Sequence, residues 1–300
     1  MLSVIVCTYN RDKYIYNLLQ SIAKNTLSVE KYELIVVNNN SSDKTEEECN
    51  RFFKDYPKIN FHYFIEQNQG LSYARNRGIK ESNGDVVVFV DDDALVNTEF
   101  LSTYVDFFEK NLDVQGAGGR IVAKYECGEE PFWISYYTRM LITGCKDLGA
   151  AIRAFPKSDY PGGGNAAFRK SVFDQIGYFN VNLGRKGTSL IGAEEKDLYD
   201  KMAKLGMKIF YLPTAVLYHL IPDSKLTKEY FDRLTLGIGQ SERQRTLDIS
   251  RWKYVKRLFW EGIKWGGTIV FSLFYVLKLQ GSKAKRLVLF RWNVTKGLIK

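Results

Sequence analysis

The sequence predicts an α/β fold in which helices cover both faces of a doubly wound parallel sheet, followed by a helical C-terminal extension. Two features of the first hundred residues support the sheet. Short apolar, β-branched segments alternate with longer segments whose apolar residues recur at helical spacing. Polar residues suited to binding follow most of the apolar segments, and in folds of this class ligands bind beyond the carboxyl ends of the strands.

The first hundred residues divide into predicted strands and helices. The strands are expected at residues 2–7, 33–37, 59–65 and 85–90, and the helices at residues 12–25, 43–53 and 71–81. Asp43 and Glu46 have the spacing of a capping pair at the start of the second helix. Polar runs follow the first, second and fourth strands, at 8–11, 38–43 and 91–93. We expect these runs to converge, because the ends of parallel strands share one edge of the sheet.

The pattern is less regular between residues 116 and 220. This part contains an aromatic stretch at 132–137, a glycine turn at 162–165, a helix near 194–205 and a final strand pair that ends at His219. From residue 250 onward the sequence becomes basic, aromatic and helical. We therefore predict a first domain, residues 1–225, and a C-terminal extension, residues 226–300.

The net charge of +9 comes from the C-terminal extension. Residues 251–300 contain twelve Lys and Arg and a single acidic residue, Glu261, whereas the rest of the chain is close to neutral. No nucleic-acid recognition motif accompanies the charge, which argues against nucleic acid as a partner. The four cysteines are scattered, and the N-terminus lacks the basic and long apolar regions of a signal peptide, so we expect a cytoplasmic protein.

Three adjacent carboxylates, Asp91, Asp92 and Asp93, directly follow the apolar run VVVFV. Like charges at a strand end repel one another unless a cation offsets them. Mg²⁺ and Mn²⁺ prefer oxygen ligands, and Mg²⁺ is usually bound by one or two carboxylates together with substrate phosphates. The alternative is a solvated acidic turn, but the position after a buried strand favours a metal site.

Seven segments, in order, resemble glycosyltransferase family 2. They are VIVCTYNR, VVNNNSSD, NQG with ARNRG, FVDDDA, GGGNAAFRKSVFDQIGYF, GAEEKDLYDKMAKLG and LPTAVLYH, and they cover roughly residues 1–220. The resemblance implies a GT-A fold with a nucleotide-sugar half, residues 1–115, and an acceptor half, residues 116–225. It also implies a nucleotide-sugar donor, a divalent cation and inversion at the anomeric carbon.

The resemblance assigns the donor contacts to seven residues. Thr8 and Tyr9 are expected in the nucleoside pocket, Asn38 and Asn39 at the base, Arg75 at the diphosphate, and Asp91 and Asp92 at the ribose or metal. Asn replaces the family's usual Asp at the base, which leaves the base preference open. The alternative roles are an Asx turn for the two asparagines and a surface salt bridge for the arginine.

The resemblance places the cation, Mn²⁺ or Mg²⁺, at Asp93, with Asp91 and His219 as further ligands. A histidine after an apolar strand is alternatively a packed or turn residue. The general base that takes the acceptor proton is assigned to Glu195, where the family usually has Asp. Acids also favour helix N-termini for electrostatic reasons alone.

The same resemblance assigns the glycine turn to the acceptor side, and the aromatic ring of Trp133 could stack there on an acceptor sugar. The acceptor-side residues are Gly164, Asn165, Trp133 and Glu194. Trp133 fits a core position equally well. The predicted function is transfer of a sugar from a nucleotide diphosphate donor, with UDP-sugar favoured, to a hydroxyl of a glycan or lipid-linked acceptor. A nucleotidyltransferase and a non-catalytic, membrane-associated adaptor that binds nucleotide sugars are the alternatives.

The C-terminal extension carries four of the five tryptophans. In a helical projection of residues 252–266, one face collects Trp252, Val255, Leu258, Phe259 and Ile263. The uncharged run 265–277 is shorter than the ~20 residues that a membrane-spanning helix needs. We therefore expect this extension to lie on the anionic inner face of the plasma membrane, a place suited to surface polysaccharide or glycolipid assembly. The alternative is a helix docked on the catalytic domain.

Overall fold

The computed structural model describes residues 1–156, 159–187 and 192–300. Among these residues, the strands are β1 (Leu2–Thr8), β2 (Tyr32–Asn38), β3 (Phe61–Ile65), β4 (Val86–Asp91), β5 (Ala94–Val96), β6 (Gly116–Tyr125), β7 (Arg153–Ala154), β8 (Asn165–Arg169) and β9 (Ile209–Ile221). The helices are α1 (Asp12–Ala23), α2 (Thr45–Asp55), α3 (Leu71–Glu81), α4 (Phe100–Lys110), α5 (Tyr136–Thr143), α6 (Ser171–Ile176), α7 (Glu194–Lys204), α8 (Lys228–Ile249), α9 (Arg251–Leu277) and α10 (Gly281–Ile299). The predicted α/β class and the helical C-terminal region are confirmed.

The strands form one mixed sheet in the order β3-β2-β1-β4-β8-β6-β9-β5, and β7 pairs with β9. β1 is parallel to β2 and β4, and β2 is parallel to β3, whereas β8 is antiparallel to both β4 and β6. The chain order reverses between β1 and β4, which is the topological switch point where ligands bind in such sheets. In register, Cys7 lies beside Asp91 and Thr8 beside Asn38, so the predicted polar runs do converge.

Alternate residues of the parallel strands supply two apolar cores, one on each face of the sheet. Val4, Leu34 and Val88 pack with residues of α1, α2 and α4 on one face. Ile5 and Val87 pack with residues of α3, α6 and α7 on the other. This two-sided burial explains why the parallel strands read as continuous apolar runs.

The predicted final strand pair is wrong, because residues 209–221 form the single long strand β9. The strand contains Pro213, although proline cannot donate a ladder hydrogen bond. This proline lies between the residues that pair with β7, at 210–211, and those that pair with β5, at 217–219. Neither of these two pairings needs its missing N–H, and the strand continues through it.

The chain divides into two compact units. The first comprises residues 1–123, 145–181 and 195–220, and the second comprises residues 124–144, 182–194 and 221–300. The second unit thus takes in segments that precede residue 225, and the predicted boundary at that position stays a prediction.

The second unit contains α5, α8, α9 and α10. Ile134, Ile142 and Phe231 form its main apolar cluster. α8 and α10 cross closely at two glycines: a Cβ on Gly239 would lie 2.2 Å from a backbone oxygen of α10, and one on Gly297 would lie 2.3 Å from a backbone oxygen of α8. Among the described residues, no helix combines the length and the apolar character that crossing a membrane requires.

Candidate active site

A row of carboxylates lies at the carboxyl end of β4, beside the end of β1. The Asp91 carboxylate is about half exposed, whereas the side chains of Asp92 and Asp93 are largely buried. Burial raises the pKa of Asp92 to about 6; Arg11 opposes the rise, and the two flanking carboxylates add to it. Keeping all three carboxylates ionised therefore costs free energy.

Arg11 partly neutralises this row. Its Nε donates to Asp92 Oδ1 at 3.1 Å, and its Nη2 lies 3.6 Å from Asp93 Oδ2. The turn between β1 and α1 holds Arg11 in place, because its backbone N–H donates to Thr45 Oγ1. Arg11 was not among the predicted site residues. The sequence does contain a signal for it. Arg11 is a basic residue in the turn after β1, and the acidic triplet follows the neighbouring strand β4.

Asp93 and His219 form a second pair at the same edge. His219 Nε2 lies 3.3 Å from Asp93 Oδ1, and the pairing of β5 with β9 fixes the approach by setting Ala94 beside His219. The Leu220 N–H donates to the Asp93 carbonyl at 2.8 Å. The structure thus brings together two of the three residues predicted to bind metal.

These residues fit a divalent cation that is held jointly with a substrate. Among the described residues, no group of three or more His, Cys, Asp or Glu side chains is arranged to hold a metal ion by itself. Asp93 and His219 nevertheless offer a carboxylate and an imidazole within 3.3 Å of each other, and excess negative charge surrounds them. A site with few protein ligands is the usual arrangement where substrate phosphates complete the coordination.

Arg75 joins the carboxylate row to α7. Its side chain is 3% exposed, and its Nη2 lies 3.0 Å from Glu195 Oε1 and 3.9 Å from Asp91 Oδ1. The guanidinium also lies over the rings of Phe89 and Phe179, at 5.7 and 5.3 Å from their centroids. The residue predicted to bind the diphosphate and the predicted base are therefore in direct contact.

The glycine turn before β8 lies against the same two carboxylates. A Cβ built on Gly163 would come within 1.7 Å of Glu195 Oε1, and one built on Gly164 within 2.1 Å of Asp91 Oδ2. A side chain at either position would therefore displace the carboxylate beside it. Asn165 is fully buried, and its amide donates to the carbonyls of Arg120 and Ala215 while accepting from a tyrosine hydroxyl.

The two asparagines after β2 make hydrogen bonds that organise the adjoining loops. Asn38 donates to Tyr63 Oη at 2.7 Å and accepts from the Ser41 N–H at 2.8 Å. Asn39 donates to two carbonyls of the loop before α3 and accepts from the Gly70 N–H at 2.7 Å. Both residues lie beside the β1 end as predicted, and their contact with a base stays a prediction.

The other predicted site residues are placed as follows. Thr8 is buried at the end of β1, and the Tyr9 N–H donates to Asp92 Oδ2 at 3.3 Å. Glu194 is buried at the first position of α7. Trp133 belongs to the second unit, where it packs edge-on against Phe231. Its contact with an acceptor stays a prediction.

The chain is similar in sequence to known glycosyltransferases. The family model described as glycosyl transferase family 2 matches residues 3–177. A glucosyl-dolichyl phosphate glucuronosyltransferase of Haloferax volcanii is 29% identical over 226 residues, which cover 69% of each chain. The poly(ribitol-phosphate) beta-N-acetylglucosaminyltransferase TarS of Staphylococcus aureus is 33% identical over 126 residues, 39% of this chain and 22% of its own length.

Two solved structures share the fold. The mannosyltransferase PcManGT from Pyrobaculum calidifontis, in complex with GDP-Man and Mn²⁺, superposes with a TM-score of 0.64 at 16% identity, over 98% of this chain and 86% of its own. S. aureus TarS 1–349 in complex with UDP-GlcNAc gives a TM-score of 0.53 at 20% identity, over 98% and 90% of the two chains. The predicted GT-A fold is thereby confirmed.

Proposed function

Since the chain belongs to glycosyl transferase family 2 and is a glycosyltransferase, we propose that it moves a sugar from a nucleotide diphosphate donor to an acceptor hydroxyl, with inversion at the anomeric carbon. UDP-sugar is the favoured donor. The observation that carries the proposal is the contact of Arg75 with both Glu195 and Asp91, beside the pair Asp93 and His219. In this cluster Arg75 could bind a diphosphate and Glu195 could accept the proton of a hydroxyl. Asp93 and His219 could bind a metal ion.

The donor is proposed to lie across the switch point. Thr8 and Tyr9 would face the nucleoside, Asn38 and Asn39 the base, and Arg75 the diphosphate, to which a guanidinium donates paired hydrogen bonds. Uracil N3–H can donate to an asparagine carbonyl, which is the reason for favouring UDP.

Glu195 is proposed as the general base. Its carboxylate takes the proton of the acceptor hydroxyl as the hydroxyl oxygen bonds to C1 of the sugar. The bond from C1 to the diphosphate oxygen breaks on the opposite face, and the diphosphate leaves with the electron pair. Glu195 Oε1 pairs with Arg75 Nη2 at 3.0 Å. A diphosphate bound to Arg75 would compete for this ion pair, and weakening the pair would favour transfer of the proton to the carboxylate.

Asp93 and His219, with Asp91, are proposed to hold Mn²⁺ or Mg²⁺ together with the diphosphate. When bound, the cation supplies charge neutralisation of the leaving group without proton transfer. Imidazole suits transition metals better than Mg²⁺, which favours Mn²⁺. The Mn²⁺ in the mannosyltransferase complex supports this choice.

The acceptor is proposed to be a glycan or lipid-linked sugar used in surface polysaccharide or glycolipid assembly. The named relatives act on a dolichyl phosphate sugar and on poly(ribitol phosphate), which supports this class. We propose that Gly164, Asn165, Trp133 and Glu194 belong to the acceptor side. The place of action is proposed to be the cytoplasmic face of the plasma membrane, in keeping with the basic residues of 251–300.

The substitution Glu195→Gln tests the base. We expect kcat for transfer to fall by about 10² to 10⁴-fold with little change in donor affinity, because general base catalysis contributes on that scale. Glu109→Gln, an exposed position on α4, is the matched control and should keep full activity. Near-full transfer by Glu195→Gln, with folding checked by circular dichroism, would rule the assignment out.

Donor and metal are tested by thermal shift with UDP, GDP and their sugars, with and without Mn²⁺. A ligand that binds only the native state stabilises it in proportion to RT ln(1 + [L]/Kd). We expect the largest rise for uridine nucleotides with Mn²⁺, and loss of the Mn²⁺ increment in Asp93→Asn. An unchanged Mn²⁺ increment in that variant would overturn the metal assignment, and analysis of the anomeric configuration of the product tests inversion.

A further inference from the structure

α9 has an inverted distribution of polar and apolar residues. Six large apolar residues, separated by three, four or seven positions, form a stripe that stays exposed over the length of the helix. This outer stripe comprises Trp252, Phe259, Ile263, Val270, Phe274 and Leu277. At 100° per residue they fall within a narrow sector, so the stripe follows one side of a helix about 40 Å long.

The opposite side of α9 is polar and buried. The buried residues of the helix include Glu261, Thr268 and Ser272, and Tyr275 is the one buried aromatic residue. A surface helix of a water-soluble protein normally buries its apolar side and exposes its polar side. In α9 this arrangement is reversed.

A network of ion pairs holds the charged residues of the buried side. Glu261 accepts from Arg257 at 2.7 Å and from Arg291 of α10 at 3.0 Å. Arg257 also donates to Glu242 of α8 at 3.1 Å. The two arginines lower the pKa of Glu261, although burial acts in the opposite direction. Buried charges with such partners fix one side of α9 towards α8 and α10, because turning the helix over would leave them unpaired.

Basic residues flank the outer stripe at both ends. Lys256 Nζ lies 5.5 Å from the centroid of the Trp252 ring, and Lys278 Nζ lies 4.5 Å from that of Phe274. The one acidic residue of α9, Glu261, is engaged in the network and does not offset this charge at the surface. An apolar stripe with cations at its edges and a fixed orientation matches the boundary between the headgroups and acyl chains of an anionic bilayer.

We propose that the outer stripe of α9 is a lipid-inserting surface, whose partner is a bilayer containing anionic lipids. The ion-pair network holds the helix on α8 and α10 while the stripe enters the acyl boundary. The inference adds specific residues and an orientation to the membrane position given under the proposed function, and it holds whether or not the site transfers sugar.

The test uses the full chain and vesicles of phosphatidylcholine with or without phosphatidylglycerol. The stripe variant carries Trp252→Ser, Phe259→Ser and Val270→Ser. The matched control carries Phe53→Ser, Leu112→Ser and Phe132→Ser, three exposed apolar residues outside the stripe. Binding is measured by co-sedimentation, and insertion by quenching of tryptophan fluorescence with brominated lipids.

We expect tight binding of the wild type to anionic vesicles, with quenching, and at least about tenfold weaker binding to pure phosphatidylcholine. The stripe variant should bind at least about 30-fold more weakly than the control variant, because three large side chains no longer transfer out of water. Equal binding by the two variants, or binding without quenching, would overturn insertion and leave adsorption by charge alone.

Two further measurements distinguish membrane insertion from self-association and from a general loss of activity. Sedimentation velocity without vesicles tests a second copy of the chain as the occupant, and a dimer that the stripe variant abolishes would overturn the proposal. Transfer to a soluble acceptor is measured in parallel. The stripe variant should keep this activity, so loss of vesicle binding and failure of the proposed function give different results.

Discussion

Replacing Gly163 with alanine tests whether the position of the Glu195 carboxylate controls the reaction. The backbone of Gly163 has no left-handed φ, so alanine is compatible with its conformation. The added Cβ would lie 1.7 Å from Glu195 Oε1 and 2.7 Å from Arg75 Nη2. The substitution therefore acts on the ion pair and leaves both of its partners chemically intact.

The size of the effect follows from the distance. Ordinary contact begins at 3.4 Å, so the carboxylate oxygen has to move by about 1.7 Å. A misplacement of about 1 Å at a reacting group can lower the rate by about 10²-fold, equivalent to about 2.7 kcal/mol in the activation free energy. We expect kcat to fall by at least this factor. The free energy of unfolding should change by less than about 1 kcal/mol, since the displaced atoms are at the end of a flexible side chain.

The assay is sugar transfer at saturating donor, with donor affinity measured separately by titration. Gly281→Ala is the matched control, because a Cβ there meets nothing within 4 Å. If Gly163→Ala retained kcat within about threefold of wild type while folding normally, the assignment of Glu195 to the reacting hydroxyl would be wrong.

Three further predictions concern Glu33, Arg11 and Cys7. Hydrogen bonds from Ser3 and Asn83 lower the pKa of Glu33 against the opposing effect of burial, so its stabilisation is present above about pH 4.5 and is lost as pH falls through its folded pKa. Urea denaturation should show Glu33→Gln to be about 1.5–3 kcal/mol less stable at pH 7, with a smaller gap at pH 3.5; a constant gap would contradict this. Arg11→Ala removes the cation beside the carboxylate row, so the protein without metal should melt lower and gain more from Mn²⁺ than wild type; a smaller gain would count against the role of Arg11. Burial raises the pKa of the Cys7 thiol to about 12, so iodoacetamide at pH 8 should label exposed Cys127 well before Cys7, as peptide mass spectrometry can establish; equal labelling would mean that Cys7 is accessible.

The parallel half of the sheet was predictable because each of its elements is encoded locally. α3 spans residues 71–81 in both prediction and structure, and the other early elements differ by a few residues at their ends. The antiparallel half was not predictable to the same extent. β5 has three residues, β7 has two, and their partner β9 lies far along the chain, so no local periodicity identifies their pairing.

The positions of the site residues were predictable where they depend only on which strand ends lie side by side. Parallel pairing of β1 with β4 was enough to bring Thr8 near the aspartates. The contact of Arg75 with Glu195 spans 120 positions and depends on the packing of α3 and α7, which no sequence pattern encodes. The two sides of α9 illustrate the same limit: a sequence shows that a helix has an apolar side, but the partners of Glu261 decide which side packs inward.

The inverted polarity of α9 limits how the protein can be shortened. Removing an adhesive C-terminal segment is a common remedy for poor solubility, and residue 250, between α8 and α9, is an obvious place to cut. Such a cut would remove the hydrogen bond from Arg257 to Glu242. It would also expose the surface of α8 around Gly239, where α10 packs. A soluble variant is better obtained by changing side chains on the outside of α9 than by deleting the helix, since its charged inner side completes the bundle.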